Sequence, residues 1–135
     1  NVKNVLFVCV ANAGRSQMAE AFFKKFAKNR LNVISAGTSP SSNLNPIVVS
    51  VMEEIGIDLK NQNPQLLSSS MIENSNKTVN MGCMDKESCP SLFVKDVENW
   101  NIDDPKGKSI EDVRKIRDQI EKDVLNLLDS LESDV

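Results

Sequence analysis

The 135-residue chain has no histidine and no tyrosine, a single tryptophan and only three cysteines. Without an imidazole there is no Cys–His dyad, no Ser–His–Asp triad and no histidine metal ligand. A proton donor in any active site must then be a carboxyl group, a lysine or water. Cys9, Cys83 and Cys89 fit none of the common structural zinc spacings, so no metal site is expected. Their odd number argues against a complete disulfide framework and for thiol chemistry in a reducing compartment. No apolar stretch approaches the roughly 20 residues that span a bilayer, and no basic region precedes a long apolar core. The expectation is a cytoplasmic protein without a membrane partner. A basic stripe is lacking too: the net charge is −3, and Lys24, Lys25 and Lys28 read as the solvated face of one helix. Nucleic acid is not an expected partner. With 40% hydrophobic residues, positions 1–135 suffice for one domain with its own core.

What is present begins with an apolar run, Val5-Leu6-Phe7-Val8, closed by Cys9 and followed by Val10-Ala11-Asn12-Ala13-Gly14-Arg15-Ser16. A tight loop between a strand and a helix N-terminus turns backbone N–H groups inward and adds the positive end of the helix dipole, a setting that holds a tetrahedral oxyanion. The same field favours thiolate over thiol, which makes Cys9 a candidate nucleophile. Arg15 supplies a planar, two-pronged donor for the anion.

The apolar spacing predicts a strand over 3–9 and a helix from Ser16, with Met18, Phe22 and Phe26 inward beside Ala19, Phe23 and Ala27. Gln17, Glu20, Lys24 and Lys28 are expected to face away. A second strand runs over 31–35, closed by Ala36-Gly37 and a Ser-, Pro- and Asn-rich loop over 38–45. Asn45-Pro46 and Gly56 bracket a helix. Residues 61–76 are polar and irregular, with a short helix over 66–72. Strands follow over 78–81 and 97–102. A long helix opens at Ser109-x-x-Asp112 and carries Val113, Ile116, Ile120, Val124, Leu127 and Leu131 at intervals of three and four.

Strands alternating with helices imply an α/β sandwich, a parallel sheet covered on both faces, with ligands at the carboxyl ends of the strands. Cys9, Cys83 and the Asp103-Asp104-Pro105 turn all fall at strand ends. Proline restricts the residue before it, so Asp104 is the better candidate acid, with Asp103 as its near competitor. Cys83 and Cys89 flank the charged segment Met84-Asp85-Lys86-Glu87-Ser88 and read as loop thiols.

Together, Val8-Cys9-x5-Arg15-Ser16-x-Met18-Ala19-Glu20, Ser35-Ala36-Gly37, the two downstream cysteines and Trp100-x3-Asp104-Pro105-x-Gly107-Lys108 resemble the thioredoxin-coupled arsenate reductases, which share the low-molecular-weight protein tyrosine phosphatase fold. The resemblance covers nearly the whole chain. It implies a three-layer, single-domain sandwich with a four-stranded parallel sheet. It also implies that Cys9 is the nucleophile, Arg15 the oxyanion binder, Ser16 a donor to the thiolate and Asp104 the acid. Val10, Ala11, Asn12, Ala13 and Gly14 would form the oxyanion loop. By the same resemblance Cys83 and Cys89 carry a disulfide outward to thioredoxin, and the substrate is arsenate with phosphate as its analogue; a monomer is the separate expectation. Gly14 stands where many relatives have a second loop cysteine, and only five residues separate Cys83 from Cys89. Some relatives bind potassium beside the loop. Asn12, Glu20 and Ser35 match that pattern, but Gln65 stands where a carboxylate is expected, so no cofactor is required.

A phosphatase of the same fold would use Cys9, Arg15 and Asp104 through a phosphocysteine, in a cleft normally walled by aromatic residues. The lack of tyrosine and the Lys106-Gly107-Lys108 run favour a small naked anion instead. A sugar-transport phosphocarrier also places cysteine at the end of its first strand, but has little use for Arg15. A non-catalytic anion-binding module leaves Cys83 and Cys89 unexplained.

Overall fold

In a computed structural model of the chain, which describes residues 4–28, 30–60, 62–82 and 97–133, the apolar N-terminal run is the strand β1 (Asn4–Cys9). It pairs on one side with β2 (Asn32–Gly37) and on the other with β3 (Lys77–Asn80), and β4 (Val97–Asn99) lies outside β3. All three pairings are parallel. Four helices accompany the sheet: α1 (Arg15–Ala27), α2 (Pro46–Glu53), α3 (Ser69–Glu73) and α4 (Ile110–Ser133). Among the described residues, none of these helices is long and apolar enough to cross a membrane.

β1 has no polar face because it is covered on both. Val5, Phe7 and Cys9 join the main core with residues of α1, α2 and α4, while Leu6 and Val8 join Ala36 in a smaller cluster against Leu67, Met71 and Ile72. Burial on both sides is what turns a central parallel strand into an unbroken apolar run. Phe7 meets Phe23 of α1 edge to face at 5.8 Å and Trp100 at 5.6 Å, which fixes α1 over the strand that ends in Cys9. Ser109 caps α4 by accepting from the Asp112 N–H at 3.2 Å, as the sequence predicts, and Asn45 caps α2 through the Ile47 N–H at 3.0 Å.

Three readings need correction. β2 continues through Ala36 and Gly37, because Gly37 pairs with Cys9 and also bridges Leu66. β4 ends at Asn99 rather than Ile102: the carbonyl of Ile102 turns away from the sheet to accept from Arg15. Gln17 and Glu20 do not face away, being 1% and 7% exposed, because Gln17 donates to Asn12 in the loop that follows β1 and Glu20 accepts from Ser35 of β2. Lys24 and Lys28 are exposed as expected.

Candidate active site

Residues 10–14 leave the carboxyl end of β1 and return into α1, and the loop over 38–45 holds them from outside. The carbonyls of Cys9, Val10, Ala11 and Ala13 accept from the N–H groups of Thr38, Ser39, Ser41 and Asn45 at 2.9 to 3.3 Å. In a trans peptide the following N–H points the opposite way, so four outward carbonyls turn the amides of Val10, Ala11, Asn12 and Gly14 inward. The Asn12 N–H reaches the Cys9 sulfur at 3.2 Å. Asn12 itself takes a left-handed conformation, φ 52°, which asparagine tolerates better than most residues. The first turn of α1 carries no acidic residue and its N-cap, Gly14, makes no side-chain cap, so its field is uncancelled. Gly37 lies directly under the loop, where a Cβ would stand 2.4 Å from the Val10 carbonyl oxygen.

Cys9 is 2% exposed, and its sulfur lies 2.9 Å from the Ser16 hydroxyl. The surrounding network decides which of the two donates. A backbone N–H, that of Gln65, donates to Asn12 Oδ1 at 2.9 Å, so the Asn12 amide nitrogen must face the other way. There Nδ2 donates to Ser16 Oγ at 2.7 Å and to Ser35 Oγ at 3.0 Å, and Ser35 passes its own proton to Glu20 at 2.8 Å. With an acceptor role toward Asn12, Ser16 has its proton available for the Cys9 sulfur.

Arg15 is buried to 9% exposure and anchored by one nitrogen: Nη1 donates to the carbonyls of Met81 and Ile102 at 2.9 and 3.2 Å. Its Nη2 lies 3.7 Å from the Asp104 carboxylate, which the Lys106 N–H holds at 3.0 Å. Cys9, Arg15 and Asp104 line one cavity of about 270 Å³, walled further by Ser41, Asn43, Asn45 and Lys106. Asp103 lines a different cavity, with Lys108 and Asp112. Among the described residues, no aromatic side chain lines the cavity of Cys9.

The family model for low molecular weight phosphotyrosine protein phosphatases matches residues 4–135. The chain belongs to this family. Of its relatives, an arsenate reductase of Staphylococcus aureus is 38% identical over 120 residues, spanning 87% of this chain and 90% of that one. The thioredoxin-dependent arsenate reductase of Corynebacterium glutamicum superposes with a TM-score of 0.85 at 31% identity. That alignment covers 99% of this chain but 64% of the other, so the chain spans less than two thirds of that longer protein. An arginine phosphatase of Geobacillus stearothermophilus superposes with a TM-score of 0.86 at 25% identity, over 98% of this chain and 94% of the other. The resemblance and the fold read from the motifs are thereby borne out.

Within this family frame, Cys9, Arg15, Ser16, Asp104 and the loop 10–14 come together at one strand end, while Cys83 and Cys89 lie outside the described residues. Gly14 packs on the Asp-Pro turn, where a Cβ would stand 2.8 Å from Pro105 Cγ. The oxygens that potassium would need are each met by a protein donor. Glu20 accepts from Ser35 and from Lys24 Nζ at 2.8 Å, the Ser35 carbonyl accepts from Gln65 at 2.7 Å, and Asn12 Oδ1 accepts from Gln65 and Gln17. The Lys24 ammonium supplies the positive charge, and the residues present do not fit the ion. Among the described residues no group of three or more Cys, Asp or Glu is placed to hold a metal. Two site residues escaped the sequence reading: Gln17, hidden by its polar character on a buried helix face, and Gly82, where a Cβ would meet Arg15 Nη1 at 2.2 Å.

Proposed function

We propose that the chain reduces arsenate to arsenite, with Cys9 as nucleophile and a disulfide relay through Cys83 and Cys89 that thioredoxin resets. The observation that carries this reading is the convergence of a buried thiol, an anchored guanidinium and a carboxyl group on a cavity of about 270 Å³ that, among the described residues, has no aromatic wall. Such a cavity suits a small tetrahedral anion. The arsenate reductases of S. aureus and C. glutamicum lend the reading further support.

In the proposed sequence the Cys9 thiolate attacks the arsenic of arsenate, held by the loop amides and Arg15, and Asp104 protonates the departing oxygen, which leaves as water. Cys83 then attacks the Cys9 sulfur. The sulfur–arsenic electron pair stays on arsenic, so arsenic(V) becomes arsenic(III), arsenite leaves, and a Cys9–Cys83 disulfide remains. Cys89 attacks Cys83 to restore Cys9, and the Cys83–Cys89 disulfide is reduced by thioredoxin through ordinary exchange.

The test is a thiol map by mass spectrometry after arsenate in the absence of reductant. A Cys83–Cys89 disulfide in the wild type, with Cys9–Cys83 trapped in Cys89→Ser, is the expected result; three free thiols and released inorganic phosphate from a phosphate ester would turn the reading toward a phosphatase. That second reading rests on the same loop and on the likeness to the arginine phosphatase. Hydrolysis that survives Cys83→Ser but not Cys9→Ser would separate the shared cradle from the relay.

A further inference from the structure

We propose that Gln17 is the positioning residue of the oxyanion loop: its one amide holds both oxygens of Asn12, and so fixes the loop and the direction of the hydrogen bond from Ser16 to Cys9. The proposal rests on the reading of Cys9 as nucleophile. Gln17 is 1% exposed on the face of α1 that meets the loop. Its Nε2 donates to the Asn12 carbonyl at 2.9 Å and to Asn12 Oδ1 at 3.0 Å. The first bond turns the Asn12 carbonyl outward, which aims the Ala13 N–H into the cavity and completes the inward row of amides. The second joins the Gln65 N–H in making Oδ1 the acceptor end of Asn12, which leaves Nδ2 for Ser16.

The orientation of the Gln17 amide is itself determined. Gln62 Nε2 donates to Gln17 Oε1 at 2.7 Å and to the Gln17 carbonyl at 3.1 Å, so the oxygen end faces Gln62 and the nitrogen end faces Asn12. The direction runs unbroken from Gln62 through Gln17, Asn12 and Ser16 to the sulfur. Packing alone would be served by an apolar side chain, without burying an amide that needs three partners.

The test uses the full chain with Cys83→Ser and Cys89→Ser throughout, so that Cys9 is its one thiol. The readout is the ratio of Cys9 alkylation by iodoacetamide at about pH 6 to that at about pH 10, well above the ordinary thiol value of about 8.5. Gln17→Glu puts a carboxylate against two acceptor oxygens and should lower the ratio about tenfold, the loss of one hydrogen bond to a charged group. Protection by inorganic phosphate should weaken by a similar factor. Gln17→Met keeps the bulk, removes the donor and should act in the same direction. Unchanged ratios in both variants, with the parent's melting temperature, overturn the proposal. Should they fail to fold, Gln62→Ala, at a half-buried position, replaces them: a lowered ratio supports the proposal and an unchanged one overturns it. A parent whose Cys9 reacts at pH 6 like an unstructured cysteine peptide overturns the nucleophile reading, and Gln17 with it.

Discussion

Asp103 and Asp104 are equivalent by composition and adjacent in sequence, yet they line different cavities, and only Asp104 shares one with Cys9 and lies 3.7 Å from Arg15. Asp104→Asn should therefore slow formation of the arsenic adduct by about 10²- to 10⁴-fold, the usual worth of a positioned acid. Asp103→Asn should leave the rate within a few-fold, both read by single-turnover mass spectrometry; equal losses would show the acid to be misassigned. Arg15→Lys poses a different question. The guanidinium uses Nη1 for two backbone carbonyls and keeps its other nitrogens for the anion, whereas an ammonium has one nitrogen for both tasks. Phosphate should bind roughly 10- to 100-fold more weakly to Arg15→Lys, from the loss of a charge-assisted bond. The Cys-x5-Arg pair was legible because its chemistry is local to one loop. The choice between the two aspartates was legible only as a preference for the residue before proline, since a one-residue step along the turn decides which cavity a side chain enters.

At the scale of elements, what the sequence reveals depends on whether the cause lies within the element. β1 and α4 are plain in the apolar pattern because each sets its own period. The end of β4 and the inward face of Gln17 are set by partners elsewhere in the chain, Arg15 for the first and Asn12 with Gln62 for the second. Gly37 belongs to the same class: it reads as a strand breaker and is in fact a strand residue whose missing side chain makes room for the loop. Gly37→Ala should destabilise the fold by about 1–3 kcal/mol in urea, as overpacking against backbone does, and weaken phosphate protection of Cys9 as well. A stability loss with unchanged protection would show that the loop does not depend on this contact. Between α2 and α4, Glu54 accepts from Arg114 at 2.6 Å and from Arg117 at 3.0 Å. The hydrogen bond from Arg114 chiefly holds the Glu54 carboxyl below its ordinary value, with a smaller contribution from Arg117. A depressed folded value means stability present above the unfolded value and lost as pH falls through the folded one. Glu54→Gln should therefore lower the melting temperature at pH 7, and its difference from the wild type should shrink as pH falls below the ordinary carboxylate range. A difference that persists in acid would assign it to packing.

For the whole molecule, the decisive fact is that the cavity is assembled from distant stretches of chain: the end of β1, the start of α1, the loop before α2 and the turn at Asp104 and Pro105. Arg15 adds a cross-tie, bonding Met81 after β3 and Ile102 after β4. An anion bound there touches groups that exist together only in the folded state, so its binding free energy adds to folding stability. Phosphate at about 100 times its dissociation constant should contribute about 2.7 kcal/mol. In a chain of 135 residues that raises the melting temperature by on the order of 10 °C. The rise should grow with the logarithm of phosphate concentration. Cys9→Ser should keep most of it, because the loop amides and Arg15 hold the anion whether or not a thiolate is present, and Arg15→Lys should lose about half of it or more. Calorimetry against chloride at matched ionic strength separates the two causes of such a rise. An equal effect of chloride would mean general screening of charge, and the cradle would then have no part in it.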